Sequence, residues 1–223
     1  MESVQKLTHI EHILKRPDSY VGPVDLNVEP YWVLNSNKSQ FEKKNLKYSP
    51  ALLKIFDEIL VNAIDRNSMH PKNVTSISVD IDKDSGAVTI ENNGPLGGIG
   101  VRMHEKEGLW NPELTFGHLL TSTNYDDNQK RIVGGRNGYG AKLTNIYSSD
   151  FSIVIKDHEN KQTYTQKWSK NMTVCEPPKI KKHSGATSSV SVTFVPDWRR
   201  FGLSKMENAI YKIFQKRVWD ANI

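Results

Sequence analysis

Apolar residues in this chain recur first at helical spacing, then at every second position, then at helical spacing again. Thr8 and Glu11 make a Ser/Thr-x-x-Glu capping pattern ahead of Ile10, Ile13 and Leu14, and Arg16-Pro17 stops the turn, which predicts a short first helix. Residues 18–47 are polar, with Pro23, Pro30 and scattered aromatics, and read as an irregular arm holding one or two short strands. Ser49 at an N-cap and Pro50 at the first helical position then open a long helix. After it the period falls to two. Ile77, Val79 and Ile81 alternate with polar residues, Asp84-Ser85-Gly86 supplies a turn, and Val88 and Ile90 alternate again, a β-hairpin. Further alternating runs lie near 151–155, 163–168 and 190–194, with helical stretches around 113–120 and 141–147 between the two groups. Ser204 and Glu207 form a second capping pattern before Met206, Ile210, Ile213, Phe214 and Val218, which predicts a closing amphipathic helix.

Helices bunched among hairpin-linked strands imply an α+β fold, a two-layer sandwich of a mixed, largely antiparallel sheet with helices on one face. The 223 residues are enough to bury a sizeable core, and we read an N-terminal arm over 1–48 followed by one domain over 49–223. The single cysteine, Cys175, has no partner within the chain and no metal-ligand spacing around it, so it reads as a reduced intracellular thiol. The first residues lack the apolar stretch of a secretory signal and no run is long enough to span a bilayer, so the expectation is a soluble intracellular protein with no membrane partner. Thirty Lys and Arg against 25 Asp and Glu leave a formal charge of +5, a mild attraction to polyanions that does not by itself separate a DNA partner from ordinary solubility. The densest basic stretches, 179–183 and 198–201, read as solvated loops before nucleic-acid contacts.

Within the long helix, Glu58, Asn62 and Asp65 share one stripe at about 100° per residue, opposite Leu52, Ile55, Phe56, Ile59, Leu60 and Ala63. A carboxylate can take a proton from an attacking water, and a carboxamide oxygen suits a hard ion such as magnesium. The same two residues on an outer helix face are more often simply solvated. Further on, the strand at Ile90 runs into Asn92-Asn93-Gly94-Pro95-Leu96-Gly97-Gly98-Ile99-Gly100. Asn92 can offer its side-chain oxygen to an exocyclic amine such as that of adenine, although Asn-Asn-Gly is also a common turn. Thr121, Ser122, Thr123 and Asn124 cluster hydroxyls and an amide that can donate to ribose or phosphate oxygens, or can merely end a helix. Gly134-Gly135-Arg136-Asn137-Gly138-Tyr139-Gly140-Ala141-Lys142 precedes an apolar helical run. Glycines at this density let N–H groups converge on an anion, the following helix presents its own unpaired N–H groups, and Lys142 adds a positive charge. The spacing is not that of a Walker A loop.

In this order, the four motifs resemble the GHKL ATPase superfamily. Residues 54–63, 119–122, 124–127 and 134–142, with the opening 11–22, are similar to the N-terminal ATPase domain of type IIA DNA topoisomerases, in the eukaryotic and large-DNA-virus style. The resemblance covers nearly the whole chain. It implies ATP and Mg2+ as cofactors, with Glu58 as the general base toward the γ-phosphate and Asn62 as the magnesium ligand. Asn92 would contact adenine, while Ser122, Thr123 and Asn124 would bind the ribose and α-phosphate region. Gly135, Arg136, Asn137, Gly138, Tyr139, Gly140, Ala141 and Lys142 would wrap the triphosphate. Tyr20 would reach the nucleotide of a second subunit, so an ATP-dependent homodimer is implied, with DNA a partner of the parent enzyme. The setting would be the nucleus in a eukaryote, or host cell or virion for a virus.

Departures from the family pattern are local. The family carries a second Asn after the helix Asp, whereas Asp65 is followed here by Arg66, so one phosphate or ribose contact is either rebuilt or lost. The glycine turn after Asn92 is longer and lacks a final proline. The family's next domain, a transducer with a lysine on the γ-phosphate, and its DNA-cleaving tyrosine and metal site would follow the last residues of this sequence. Alone, the chain is expected to bind ATP with weak or no turnover. The rival readings are a non-catalytic nucleotide-dependent dimer clamp and another GHKL branch, namely a histidine kinase, heat-shock chaperone or mismatch-repair ATPase. The length of the topoisomerase-like wording disfavours the other branches.

Overall fold

The capping pattern at Thr8 forms as spaced: Glu11 Oε2 accepts the Thr8 N–H at 2.7 Å and Thr8 Oγ1 accepts the Glu11 N–H at 3.3 Å, starting helix α1 (His9–Lys15). The computed structural model describes residues 4–35, 37, 40–121 and 139–221. After α1 comes more regular structure than the expected arm. Strands β1 (Asn27–Leu34) and β2 (Phe41–Tyr48) pair antiparallel over eight positions, from Asn27 opposite Tyr48 to Leu34 opposite Phe41. Their sequence shows no clean alternation because most of their positions face outward, and only Val33, Leu34 and Tyr48 are buried.

Helix α2 (Pro50–Met69) begins where Ser49 and Pro50 require, the Ser49 hydroxyl accepting the Leu52 N–H at 3.3 Å. It buries Leu52, Ile55, Phe56, Ile59, Leu60 and Ala63, the face the spacing predicts. Strands β3 (Ile77–Ile81) and β4 (Val88–Asn93) form the expected hairpin, with Ile77, Val79 and Ile81 opposite Asn92, Ile90 and Val88. Next come helices α3 (Asn111–Gly117) and α4 (Gly140–Ile146), strands β5 (Ser148–Asp157), β6 (Gln162–Ser169), β7 (Val174–Cys175), β8 (Lys179–Lys182) and β9 (Ser189–Pro196), and helix α5 (Asn208–Asp220). The larger sheet runs β3-β4-β9-β5-β6, with β7 and β8 both on β6, and each of these pairings is antiparallel.

One face of that sheet supplies Val88, Ile90, Val192, Phe194, Phe151, Ile153, Ile155, Tyr164 and Trp168 to the core, against α2 and its neighbouring helices. Phe56 of α2 stacks on Phe214 of α5, centroids 4.2 Å apart and planes 10° apart, and Asp57 pairs with Arg217 at 2.7 Å. Tyr147 reaches back to donate to the Ile13 carbonyl at 2.7 Å, tying α1 to the core. The α+β sandwich is thus the architecture found.

Two local expectations are corrected. The Ser204/Glu207 box does not form: α5 starts at Asn208 with Glu207 as its N-cap and no side-chain cap bond. Leu203 and Met206, just ahead of that start, are both buried. The basic stretch at 179–182 is not a loop but strand β8, exposed along its length and hydrogen-bonded to β6. In the other basic stretch Trp198 and Phe201 are buried within a short 3₁₀ turn, Arg199 and Arg200 are exposed, and Arg200 is paired with Asp197 at 3.1 Å.

Candidate active site

Helix α2 places Glu58 and Asn62 one turn apart beside α4. The Glu58 side chain is 20% exposed, and its Oε1 lies 2.5 Å from the Lys54 ammonium one turn earlier. Its Oε2 is directed at Gly140, the first residue of α4, where an added Cβ would sit 2.0 Å from that oxygen. Only a residue without a side chain allows the last glycine of the Gly-rich motif to lie against this carboxylate. The helices are held together by Thr144, one turn after Gly140, whose buried hydroxyl donates to the Ile55 carbonyl at 2.8 Å. Asn145 donates to the Phe116 carbonyl at 3.0 Å and fixes α3 alongside.

Asn62 is exposed, its carboxamide open to solvent on the same stripe, and Asp65 is half-buried with burial pushing its carboxyl upward. Among the described residues no group of three or more His, Cys, Asp or Glu gathers as a metal site. The Asn62 side-chain oxygen is a hard donor of the kind a magnesium ion takes beside phosphate oxygens and water.

Asn92 is the last residue but one of β4 and is 7% exposed. Its Nδ2 donates to the Asn93 carbonyl at 3.1 Å. Asn93 is structural, its Oδ1 accepting the Thr75 and Ser76 N–H groups at 2.9 and 3.0 Å. Tyr139 and Ala141 flank Gly140 at the start of α4. Lys142 is 1% exposed, and its ammonium donates to the Thr121 carbonyl at 2.5 Å and the Thr121 hydroxyl at 2.8 Å. Burial pushes its pKa down to about 8. Tyr20 pairs its hydroxyl with His12 Nδ1 at 2.9 Å, edge to face.

Ser122, Thr123, Asn124, Gly135, Arg136, Asn137 and Gly138 lie outside the described residues. Of the rest, α2 and α4 bring Glu58, Asn62 and Gly140 together, Asn92 stands at the end of β4, and Tyr20 sits in the N-terminal segment. The sequence reading missed Thr144, Asn145 and the Lys142–Thr121 contact. Thr144, four residues beyond Gly140 and so on the same face of α4, was the available sign.

No family model matches the chain. It is 43% identical over 221 residues to DNA topoisomerase 2 of Saccharomyces cerevisiae, covering 99% of this chain and 15% of that protein. It is 46% identical over 219 residues to DNA topoisomerase 2 of Penicillium chrysogenum, covering 98% of this chain and 14% of that one. The chain thus spans about a seventh of the length of these relatives. The crystal structure of the ATPase region of Saccharomyces cerevisiae topoisomerase II superposes with a TM-score of 0.94 at 44% identity, over 98% of this chain and 57% of that one. The ATPase and transducer domains of DNA topoisomerase II from Balamuthia mandrillaris give 0.91 at 42% identity, over 98% and 56%. The 43K ATPase domain of Thermus thermophilus gyrase B, at 20% identity and a TM-score of 0.64 over 95% of this chain and 44% of that one, shares the fold. By sequence and by fold alike, nearly the whole chain is homologous to the ATPase region of eukaryotic DNA topoisomerase II, and its architecture is the GHKL fold.

Proposed function

We propose that this chain binds Mg2+-ATP between α2 and α4 and supplies the hydrolytic carboxylate for its γ-phosphate. The placement of Glu58 Oε2 against Gly140 carries this reading: the one carboxylate of the stripe that faces another element faces the end of the glycine-rich segment. Glu58 accepts the proton of the attacking water, and Lys54 on Oε1 leaves Oε2 as the atom that turns toward the reacting phosphate. Asn62, one turn on, holds magnesium, which when bound neutralises charge on the phosphate oxygens. Lys142 contributes its charge toward the phosphates, and Asn92 Oδ1 accepts the adenine amine.

ATP binding in turn brings two copies together, Tyr20 passing to the partner's nucleotide, and in a longer protein of the DNA topoisomerase 2 kind this closure serves passage of DNA. Calorimetric titration of the chain with a non-hydrolysable ATP analogue and Mg2+, beside size-exclusion with and without the analogue, tests this. Saturable 1:1 binding with a shift to dimer is expected. No heat at millimolar analogue overturns the nucleotide reading, and binding without dimerisation overturns the subunit-bridging role of Tyr20.

A further inference from the structure

Arg66 follows Asp65 on α2, two turns beyond Glu58, and its side chain leaves the helix toward the loop after β4. Nη2 donates to the Leu96 carbonyl at 2.7 Å, and Nη1 packs on Gly97 so closely that a Cβ there would lie 2.9 Å away. Burial lowers the pKa of this guanidinium, and among the described residues no carboxylate pairs with it. The loop is pinned at its two ends by other means. Gly94 N–H donates to the Ser188 carbonyl at 2.9 Å, and Val101 N–H donates to Asp157 Oδ2 at 2.8 Å. Both of those anchors come from the region of β9 and β5. Arg66 ties the loop's apex by a hydrogen bond to the helix that carries Glu58 and Asn62.

We infer that Arg66 is a positioning residue for the purine end of the nucleotide: by clamping Leu96 and Gly97 it fixes the separation between the catalytic helix and the loop that follows Asn92. The inference rests on the proposed nucleotide reading. An arginine supplies both reach and a charged donor for a backbone carbonyl. Asn62, at the phosphate end of the site, lies one turn before Arg66, and the Arg66 hydrogen bond goes the other way, to Leu96.

That separation gives the test. Affinities of the chain for Mg2+-ATP and for Mg2+-tripolyphosphate, which has the phosphates and no base, are measured for the native protein, Arg66→Met and Arg66→Lys. Arg66→Met is expected to weaken ATP by about tenfold to a hundredfold, the loss typical of a hydrogen bond from a charged donor, and to leave tripolyphosphate within about twofold. Arg66→Lys, which keeps one donor, recovers part of the ATP affinity. Gly97→Ala weakens ATP in the native background and by less in Arg66→Met, where the clash with the guanidinium is gone and only the strain of a side chain at φ 58° remains. Unchanged ATP affinity in Arg66→Met, or equal loss for ATP and tripolyphosphate, overturns the inference. A native protein that binds tripolyphosphate but not ATP overturns the nucleotide reading itself, and that outcome is seen without any variant.

Discussion

Glu58 and Gly140 are in contact across the α2–α4 interface, with Glu58 Oε2 occupying the space that any side chain on residue 140 would need. Replacing a helical glycine by alanine ordinarily stabilises a helix by about 1 kcal/mol. Gly140→Ala should offset that gain, because the added methyl must turn aside the flexible end of a carboxylate paired with Lys54. We expect a net loss of no more than about 1 kcal/mol in urea unfolding. In the Glu58→Ala background the same substitution should be neutral or stabilising. An equal cost in both backgrounds would show that the contact is not what excludes a side chain at position 140.

Removing a positioned general base typically slows a reaction by about 10²- to 10⁴-fold. In a protein that joins this chain to the rest of a topoisomerase, Glu58→Ala should therefore lose measurable phosphate release and retain binding of the ATP analogue. Normal turnover in that variant would remove Glu58 from the mechanism, and loss of binding would recast it as a structural residue.

Asn62 is the exposed member of the stripe, so its replacement tests the metal role with little disturbance of the core. Asn62→Ala should flatten the dependence of ATP affinity on magnesium concentration without lowering the melting temperature. If the variant and the native chain show the same magnesium titration, the carboxamide is not a ligand.

Much of this arrangement was legible in the sequence because the decisive signals are local. Ser49 and Pro50 set the start of α2, the 3.6-residue period separates Glu58 and Asn62 from the buried face, and strict alternation marks β3 and β4. Signals that depend on a distant partner were not legible. Strand β8 carries no alternation, since all four of its residues are exposed and only the hydrogen bonds to β6 make it a strand. The Ser204 box matches a capping pattern, yet the helix starts at Asn208 without a side-chain cap, and nothing local in the sequence marks that shift. Arg66 read as a ligand contact either rebuilt or lost, and its hydrogen bond to the Leu96 carbonyl is visible only once α2 and the loop after β4 are placed side by side.

The buried ammonium of Lys142 gives the domain a pH dependence whose sign can be fixed. Its pKa falls from 10.5 in the open chain to about 8 in the fold, because burial penalises the charged form. Below pH 8 the lysine is protonated in both folded and unfolded chains, and the folded state carries the full penalty. Between about pH 8 and 10.5 the unfolded chain binds more protons than the folded one, so the penalty is relieved and stability rises with pH. The size follows from about 1.4 kcal/mol per pKa unit and is on the order of 3 kcal/mol across the window. Lys142→Met should abolish this contribution, so the difference in unfolding free energy between native protein and variant, measured by urea at pH 7.5 and pH 10, should shift toward the native protein at the higher pH. A difference that stays constant between the two pH values would mean that Lys142 keeps its ordinary pKa, and that its charge is fully available to a phosphate at neutral and alkaline pH alike.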